Sequence, residues 1–368
     1  MHYLAAGAGQ PMVVFESGGG GGVSMSDLPV LRLVSAFTRG CIYDRAGLGW
    51  SDPGPSGRSF EDRADDLHAL LAAAGEAAPY VLVGSSFGGL GARAFCRRYP
   101  EEVVGMVLVD AAEEQHYFDA LPSMRGQLEE ELRAEALRAA TGELRMDLER
   151  RLRRADAFSE ADKVAMLDLF SRPDHFEAAL EELSAVDSTP AEMRGAGGFG
   201  RLGDRPLIVL GRGKALGGPM APWEEGAVAS QLRLASLSTA SAYFVARVAG
   251  HSIGLERPAL VAAAIAAVVN AARGNPLDVG EVDRLSIARE SSGPRRFPRS
   301  AAVPAAGGRD GRRPATALRR DRPARWHPEA RPRPFRAERC CSKTRRRSRA
   351  PGPGRPRSGR AAWPLSAG

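Results

Sequence analysis

Short apolar runs and longer amphipathic stretches alternate along the first 110 or so residues of the chain. Residues 12–16 (MVVFE), 40–43 (GCIY), 80–83 (YVLV) and 105–109 (GMVLV) are rich in β-branched and aromatic side chains. Runs of this length and character predict strands buried on both faces. A fragment of strand at 2–5 precedes them, closed by the turn GAGQP at 7–11. Residues 29–36 read as a short helix. Residues 60–74 carry Asp62, Asp65 and Asp66 toward their start and Leu67, Leu70 and Leu71 at helical spacing. That pattern predicts an amphipathic helix whose acidic residues favour the positive end of its dipole, stopped by Gly75 and Pro79. Strand and helix alternating at this spacing predict an α/β fold, with a mostly parallel central sheet covered by helices on both faces and right-handed crossovers.

The pattern changes at residue 113. From there to 201, the segments 125–140, 143–155, 160–170 and 173–183 are helical in period and strongly charged, with no convincing strand. An inserted helical cap is predicted. Strands return at 206–210 and 242–248, and a helix follows from Pro258, a favoured first-turn residue, to Ala272. The expected organisation is a core of residues 1–112 and 202–273, a cap of 113–201 and a tail of 274–368.

Charge separates the tail from the rest. Residues 291–368 hold 22 Arg or Lys against 4 Asp or Glu, with 12 prolines, whereas the first 290 hold 29 basic and 40 acidic residues. The net +7 is therefore a basic tail added to an acidic body. A segment rich in Arg, Pro and Gly cannot bury enough apolar surface to fold, so a disordered tail is predicted. It offers nonspecific contact with an anionic surface or a nucleic acid, but carries no stacking aromatics at regular spacing. Four cysteines, two of them the neighbours Cys340 and Cys341, form neither a disulfide framework nor the CxxC pairs of a zinc site. This suits a reducing, cytoplasmic compartment. No signal-peptide pattern and no apolar run of membrane-spanning length occurs; the Ala-rich stretch 259–272 is only 14 residues.

The candidate chemistry centres on Ser86. Gly84 and Gly88 bracket it in the pattern G-x-S-x-G, directly after the 80–83 strand and before a helix-like segment with Leu90, Ala94, Phe95 and Tyr99. A strand-to-helix turn this tight strains the serine backbone and leaves no room for side chains at the glycines, so the hydroxyl projects above the sheet edge. The pentapeptide alone is a weak signal, and its surroundings give it weight. Five consecutive glycines, 18–22, follow the 12–16 strand. They make either a flexible loop or a row of unobstructed N–H groups facing a ligand. His251, between Gly250 and Ser252 after the last strand, is the best-placed base among six histidines. His2 is terminal, His68 lies inside an amphipathic helix, His116 and His175 fall in or near the cap, and His327 is in the tail.

For the acid that orients such a base, Asp110 at the end of the 105–109 strand is preferred, although it can also cap the helix or turn after that strand. The run Gly211-Arg212-Gly213-Lys214 offers no carboxylate, which leaves Glu224 or Glu225 as alternatives. The backbone N–H groups of Gly19 and Phe87 are the expected oxyanion donors. Asp44 and Arg45 are expected to brace the adjoining loop, and Trp50 either lines the pocket or closes the core.

Three motifs in order, YDRAGLGWSD at 43–52, LVGSSFGG at 82–89 and Gly250-His251, resemble the α/β-hydrolase fold superfamily, in its serine hydrolase branch. The resemblance covers residues 2 to about 272, loosely across the cap. It implies two-step hydrolysis of a carboxylic ester or related small acyl substrate by a Ser-Asp-His triad, with no cofactor or metal. Thioesterase, lactonase, perhydrolase and carbon–carbon bond hydrolase reactions use the same groups, and a non-catalytic hydrolase-like binding protein is the other class. Serine at 86 argues against dehalogenase and epoxide hydrolase chemistry, which needs a carboxylate nucleophile there. In some members the acid follows the strand before the cap, which agrees with Asp110. The chain departs from the pattern at Ser17 and Ser85, where many members have histidine, at Lys214, near a common carboxylate position, and at the outermost strand usual in the family.

Overall fold

The computed structural model describes residues 1–153, 155, 157–216 and 223–287. Among these, seven strands form one sheet in the order β1-β3-β2-β4-β5-β6-β7. They are β1 (Tyr3–Ala6), β2 (Met12–Glu16), β3 (Gly40–Tyr43), β4 (Tyr80–Ser85), β5 (Val103–Val109), β6 (Leu207–Arg212) and β7 (Ser241–Ala246). β1 runs antiparallel to β3 and makes one edge; the other pairings are parallel. The fully buried run Met12–Glu16 shows why the inner strands read as continuous apolar sequence: both faces are covered.

The crossovers place α1 (Leu28–Val34) after β2, α2 (Phe60–Ala74) after β3 and α3 (Gly88–Arg98) after β4. Ser59 and Asp62 form a reciprocal capping box at the start of α2, and Gly75 ends it at φ +74°. Helices α4 (Glu114–Ala140), α5 (Glu143–Leu152), α6 (Glu160–Phe170), α7 (Pro173–Ala185) and α8 (Ala191–Arg194) make the inserted helical region between β5 and β6. α4 starts well before residue 125, where periodicity placed it. It continues through Pro122 because Tyr117, Leu121 and Met124 are buried on one side, and the Glu113 side chain caps its first turn.

After β6 come α9 (Ala227–Ala235), then α10 (Ile253–Glu256), α11 (Pro258–Ala272) and α12 (Gly280–Ile287). Periodicity missed α9 because its aliphatic Val228 and Leu232 are exposed, while Ser230, Gln231 and Leu234 face inward. α2, α3 and α9 lie against one face of the sheet, α1 and α11 against the other. Gly105 lets α11 approach β5, since a Cβ there would sit 2.5 Å from Val268 Cγ1.

The boundary expected at residue 274 needs correction. α12 folds back on α11 and the edge strand β7, with Val282 buried, Arg247 N–H donating to Ser286 O at 3.1 Å and Arg257 donating to Leu285 O at 2.8 Å. Eight residues with one deeply buried aliphatic carry too little pattern to be legible, yet they cover an otherwise open edge. The rest of the expected tail, residues 288–368, lies outside the described residues.

Register sets the site. Ser85 pairs with Val109, and Val109 with Leu210, so the residues that follow β4, β5 and β6 emerge along one edge of the sheet. The loop after β7 reaches the same edge. No helix among the described residues is long and apolar enough to cross a membrane.

Candidate active site

Ser86 follows β4 at φ +52°, a left-handed conformation that non-glycine residues rarely adopt. The turn is tight on all sides. A Cβ on Gly84 would lie 2.7 Å from Gly89 Cα, and one on Gly88 would lie 2.0 Å from Glu16 O. Ser86 N–H donates to Val109 O at 3.1 Å, and Ser86 O accepts from Gly89 and Ala112 at 3.0 and 2.8 Å. These bonds hold the strained serine above the sheet.

His251 stands over it, with Nε2 3.0 Å from Ser86 Oγ and Nδ1 2.6 Å from Asp110 Oδ2. Asp110 is buried and, like the serine, sits in the left-handed region at φ +42°. Its own N–H donates to Leu210 O at 2.6 Å, and Gln231 Nε2 donates to Ala111 O at 2.9 Å, fixing the turn after β5. The loop bearing His251 is anchored by Glu256, which accepts from Gly250 N–H at 3.0 Å, and by Ala249 O, which accepts from Gly213 and Lys214 N–H. An ionised Asp110 can only accept, so Nδ1 carries the proton and Nε2 presents its lone pair to the serine hydroxyl.

The structure separates the candidate acids. Glu224 faces away from His251, with Oε1 accepting from Arg212 Nη2 at 2.8 Å and Leu216 N–H at 2.5 Å, while Glu225 contributes its backbone carbonyl to His116 Nε2 at 2.9 Å. Arg212 was not anticipated at this site. Its Nη1 donates to both Asp110 oxygens at 2.9 Å, and its backbone N–H reaches Oδ1 at 3.4 Å. Burial works against the guanidinium charge, but Asp110 and Glu224 outweigh it and hold Arg212 above its ordinary value. Lys214 turns outward to Glu256 at 3.4 Å.

The polyglycine loop lies beside the serine. A Cβ on Gly18 would be 3.5 Å from Ser86 Cβ, and one on Gly19 would be 3.0 Å from Phe87 Cβ. Arg45 Nη1 donates to Ser17 O at 2.8 Å and Nη2 to Gly18 O at 2.7 Å. A trans peptide points its N–H opposite its C=O, so holding Gly18 O aims Gly19 N–H away from Arg45. Among the described residues the N–H groups of Gly19 and Phe87 meet no protein acceptor.

Glu182 of α7 receives Arg45 Nε at 2.6 Å, and Arg63 donates to its carbonyl at 3.2 Å. Arg172 donates to Gly49 O at 3.1 Å, and His175 Nδ1 accepts from Gly49 N–H at 3.3 Å. Burial holds His175 below its usual value, so it stays a neutral acceptor. The inserted helices thus grip the glycine loop and its neighbour through residues that read, in sequence, as ordinary charges of an exposed helix. Asp44 accepts from Ser24 and Trp50 N–H at 2.9 and 3.2 Å. Trp50 packs on His2 with ring centroids 5.1 Å apart.

Ser17 donates to the buried Asp27 at 2.5 Å. Burial raises Asp27 from its usual 3.8 to about 6, against the lowering effects of Ser17 and Arg45. The folded-state value lies above the unfolded one, so the associated stability is complete below about pH 4 and is lost as pH rises through about 6. Asp27→Asn should gain on the wild type between those limits, by up to about 3 kcal/mol in urea unfolding followed at each pH.

A cleft of about 200 Å³ lies behind this loop, walled by Arg45, Arg58, Arg63, Arg172 and Glu182; Ser86 and His251 take no part in it. Toward the serine, aromatic rings run in contact from Phe60 to Phe87, Tyr117 and Trp223. Cys41 and Cys96 are buried free thiols, and among the described residues no cluster of His, Cys, Asp or Glu could hold a metal.

The profile of the alpha/beta hydrolase fold matches residues 11–196, just over half of the 368-residue chain. The chain belongs to that family. An AB hydrolase superfamily protein of Gibberella zeae is 28% identical to this α/β-hydrolase over 189 residues, 49% of this chain and 55% of that one. The chain spans between 16% and 55% of the length of the curated relatives it matches. Two of the solved structures that share its fold illustrate the likeness. A serine hydrolase involved in carbazole degradation, CarC, superposes with a TM-score of 0.53 at 17% identity, covering 73% of this α/β-hydrolase and 94% of that chain. The enol-lactonase from Burkholderia xenovorans LB400 gives 0.51 at 20% identity, covering 73% and 96%.

Proposed function

We propose that this α/β-hydrolase is a serine hydrolase that cleaves a carboxylic ester or related small acyl compound through an acyl-enzyme. The observation that carries the reading is the single hydrogen-bonded line from Ser86 Oγ through His251 to Asp110, at 3.0 and 2.6 Å. In the first step Oγ attacks the acyl carbon while its proton passes to His251 Nε2. The carbonyl π electrons move onto oxygen, and the N–H groups of Gly19 and Phe87 receive the oxyanion. Collapse expels the alkoxide, which takes the proton from Nε2. Water then attacks the acyl-enzyme, giving its proton to the same nitrogen, and the acid leaves as Ser86 recovers its hydrogen.

The Phe60, Phe87, Tyr117 and Trp223 rings are buried in contact with one another, so the core packed around Phe87, the residue after Ser86, is apolar. Lactones, thioesters, peracids and activated carbon–carbon bonds engage the same three groups, and the substrate's carbonyl determines which reaction follows. The reading is tested by rapid mixing of the full chain with p-nitrophenyl acetate. A burst of one p-nitrophenol per Ser86, absent from Ser86→Ala, is expected; turnover unchanged in that variant would contradict it.

A further inference from the structure

We propose that Arg212 is a positioning residue for the His251–Asp110 pair, holding the Asp110 carboxylate by both oxygens and setting how much of its charge is available to the imidazole. The inference rests on the serine hydrolase reading for its catalytic meaning, but its geometry stands apart from that reading. Asp110 is buried and accepts from two groups at once, the His251 imidazole at 2.6 Å and the Arg212 guanidinium at 2.9 Å to each oxygen. Arg212 suits this role because its Nη1 alone reaches both carboxylate oxygens and leaves Oδ2 a second lone pair for Nδ1–H, while Nε and Nη2 turn to Glu224.

Arg212 is in turn divided. Its Nε and Nη2 donate to Glu224 Oε1 at 3.2 and 2.8 Å, so Glu224 moderates the pull that Arg212 exerts on Asp110. The other charged and titratable groups around the pair are few. From β7, Tyr243 faces Asp110, and burial together with that carboxylate holds its phenol above the usual value. Lys214, after β6, and Glu256, at the end of α10, pair with each other beside the His251 loop. The result is a graded chain, Glu224 to Arg212 to Asp110 to His251, in which each charge weakens or strengthens the next.

Sign follows from the chain. Protonation of His251 is favoured by Asp110 and opposed by Arg212. Replacing Arg212 with Met removes the guanidinium and leaves only the backbone N–H at 212 beside the imidazole on the carboxylate, so His251 should hold its proton to higher pH. Replacing Glu224 with Gln frees Arg212 to draw harder on Asp110, so His251 should release its proton at lower pH. Two substitutions along one line are expected to move one titration in opposite directions, which simple loosening of the site would not do.

The test is NMR titration of the His251 ring in the full chain between pH 4 and pH 9, for the wild type, Arg212→Met, Arg212→Lys and Glu224→Gln. This readout needs no activity, so it remains decisive if Ser86 proves unreactive. The midpoint should rise by about one pH unit in Arg212→Met and fall by about half a unit in Glu224→Gln. Arg212→Lys should lie between wild type and Met, since the charge returns without the planar group that reaches Asp110 and Glu224 at once. Midpoints that stay within a tenth of a unit, or that move the same way in Met and Gln variants, would overturn the proposal. If Arg212→Met does not fold, Glu224→Gln decides alone: a midpoint that fails to fall overturns it.

Discussion

Ser86→Ala is expected to lower kcat for ester hydrolysis by about 10⁶-fold, with KM for the same ester changed by less than about threefold. The size of the effect comes from the step that is lost. Without Oγ there is no acyl-enzyme, and the two N–H groups on Gly19 and Phe87 can only polarise a carbonyl that water attacks unaided. The alanine side chain fits wherever the serine does, and the bonds that hold the turn are backbone bonds to Val109, Gly89 and Ala112. The fold should therefore survive, and circular dichroism of the variant should match the wild type. Steady-state kinetics on a series of p-nitrophenyl esters would measure both constants. A loss confined to KM would assign Ser86 to binding alone.

Asp110→Asn should lower kcat by about 10⁴-fold. An asparagine amide beside His251 Nδ1 can donate where the carboxylate accepts, and the imidazole then carries its proton on Nε2. Nε2 no longer accepts from Ser86 Oγ, which faces it at 3.0 Å. A second consequence distinguishes this position from Glu224. Arg212 would lose one of its two charged partners, keeping Glu224, inside a site where both its side chain and that of Asp110 are largely buried. A buried charge left wholly unmatched costs about 3 kcal/mol; with Glu224 still paired to Arg212 the cost is smaller, and the variant should unfold at a lower urea concentration. Activity that falls without any change in the unfolding midpoint would separate the two roles of the carboxylate.

Sequence made some parts of this protein legible and hid others for physical reasons. β2 at Met12–Glu16, α2 at Phe60–Ala74 and α11 at Pro258–Ala272 have the predicted bounds. Each has a one-sided or fully apolar environment that writes a simple pattern, and each has a proline or glycine at or next to one end. α9 and α12 were hidden because their inward faces are built from Ser230, Gln231, Leu234, Val282 and Ser286, a set with little hydrophobic contrast. The elbow glycines were legible because backbone clashes at 84 and 88 leave no alternative residue.

Pairings over long distances in sequence were not legible. The order of β4, β5 and β6 determines that Asp110 and Arg212 meet, 102 residues apart. Nothing local marks Arg212 as different from any arginine at a strand end. Glu182 is a stronger case: it sits among other acidic residues on α7, and only the approach of that helix to the glycine loop makes it the partner of Arg45. Asp44 and Arg45 were expected to brace that loop, and the two carbonyls held by Arg45 give the brace its atoms.

The central claim is that Ser86 is an activated nucleophile, and the most direct measurement is covalent labelling of the purified full chain by a fluorophosphonate, read by intact mass and peptide mapping. One adduct per chain on Ser86 is expected, lost in Ser86→Ala and slowed by at least about 10³-fold in His251→Ala. A folded wild-type chain that takes up no fluorophosphonate, or that is labelled equally fast without His251, would contradict the account.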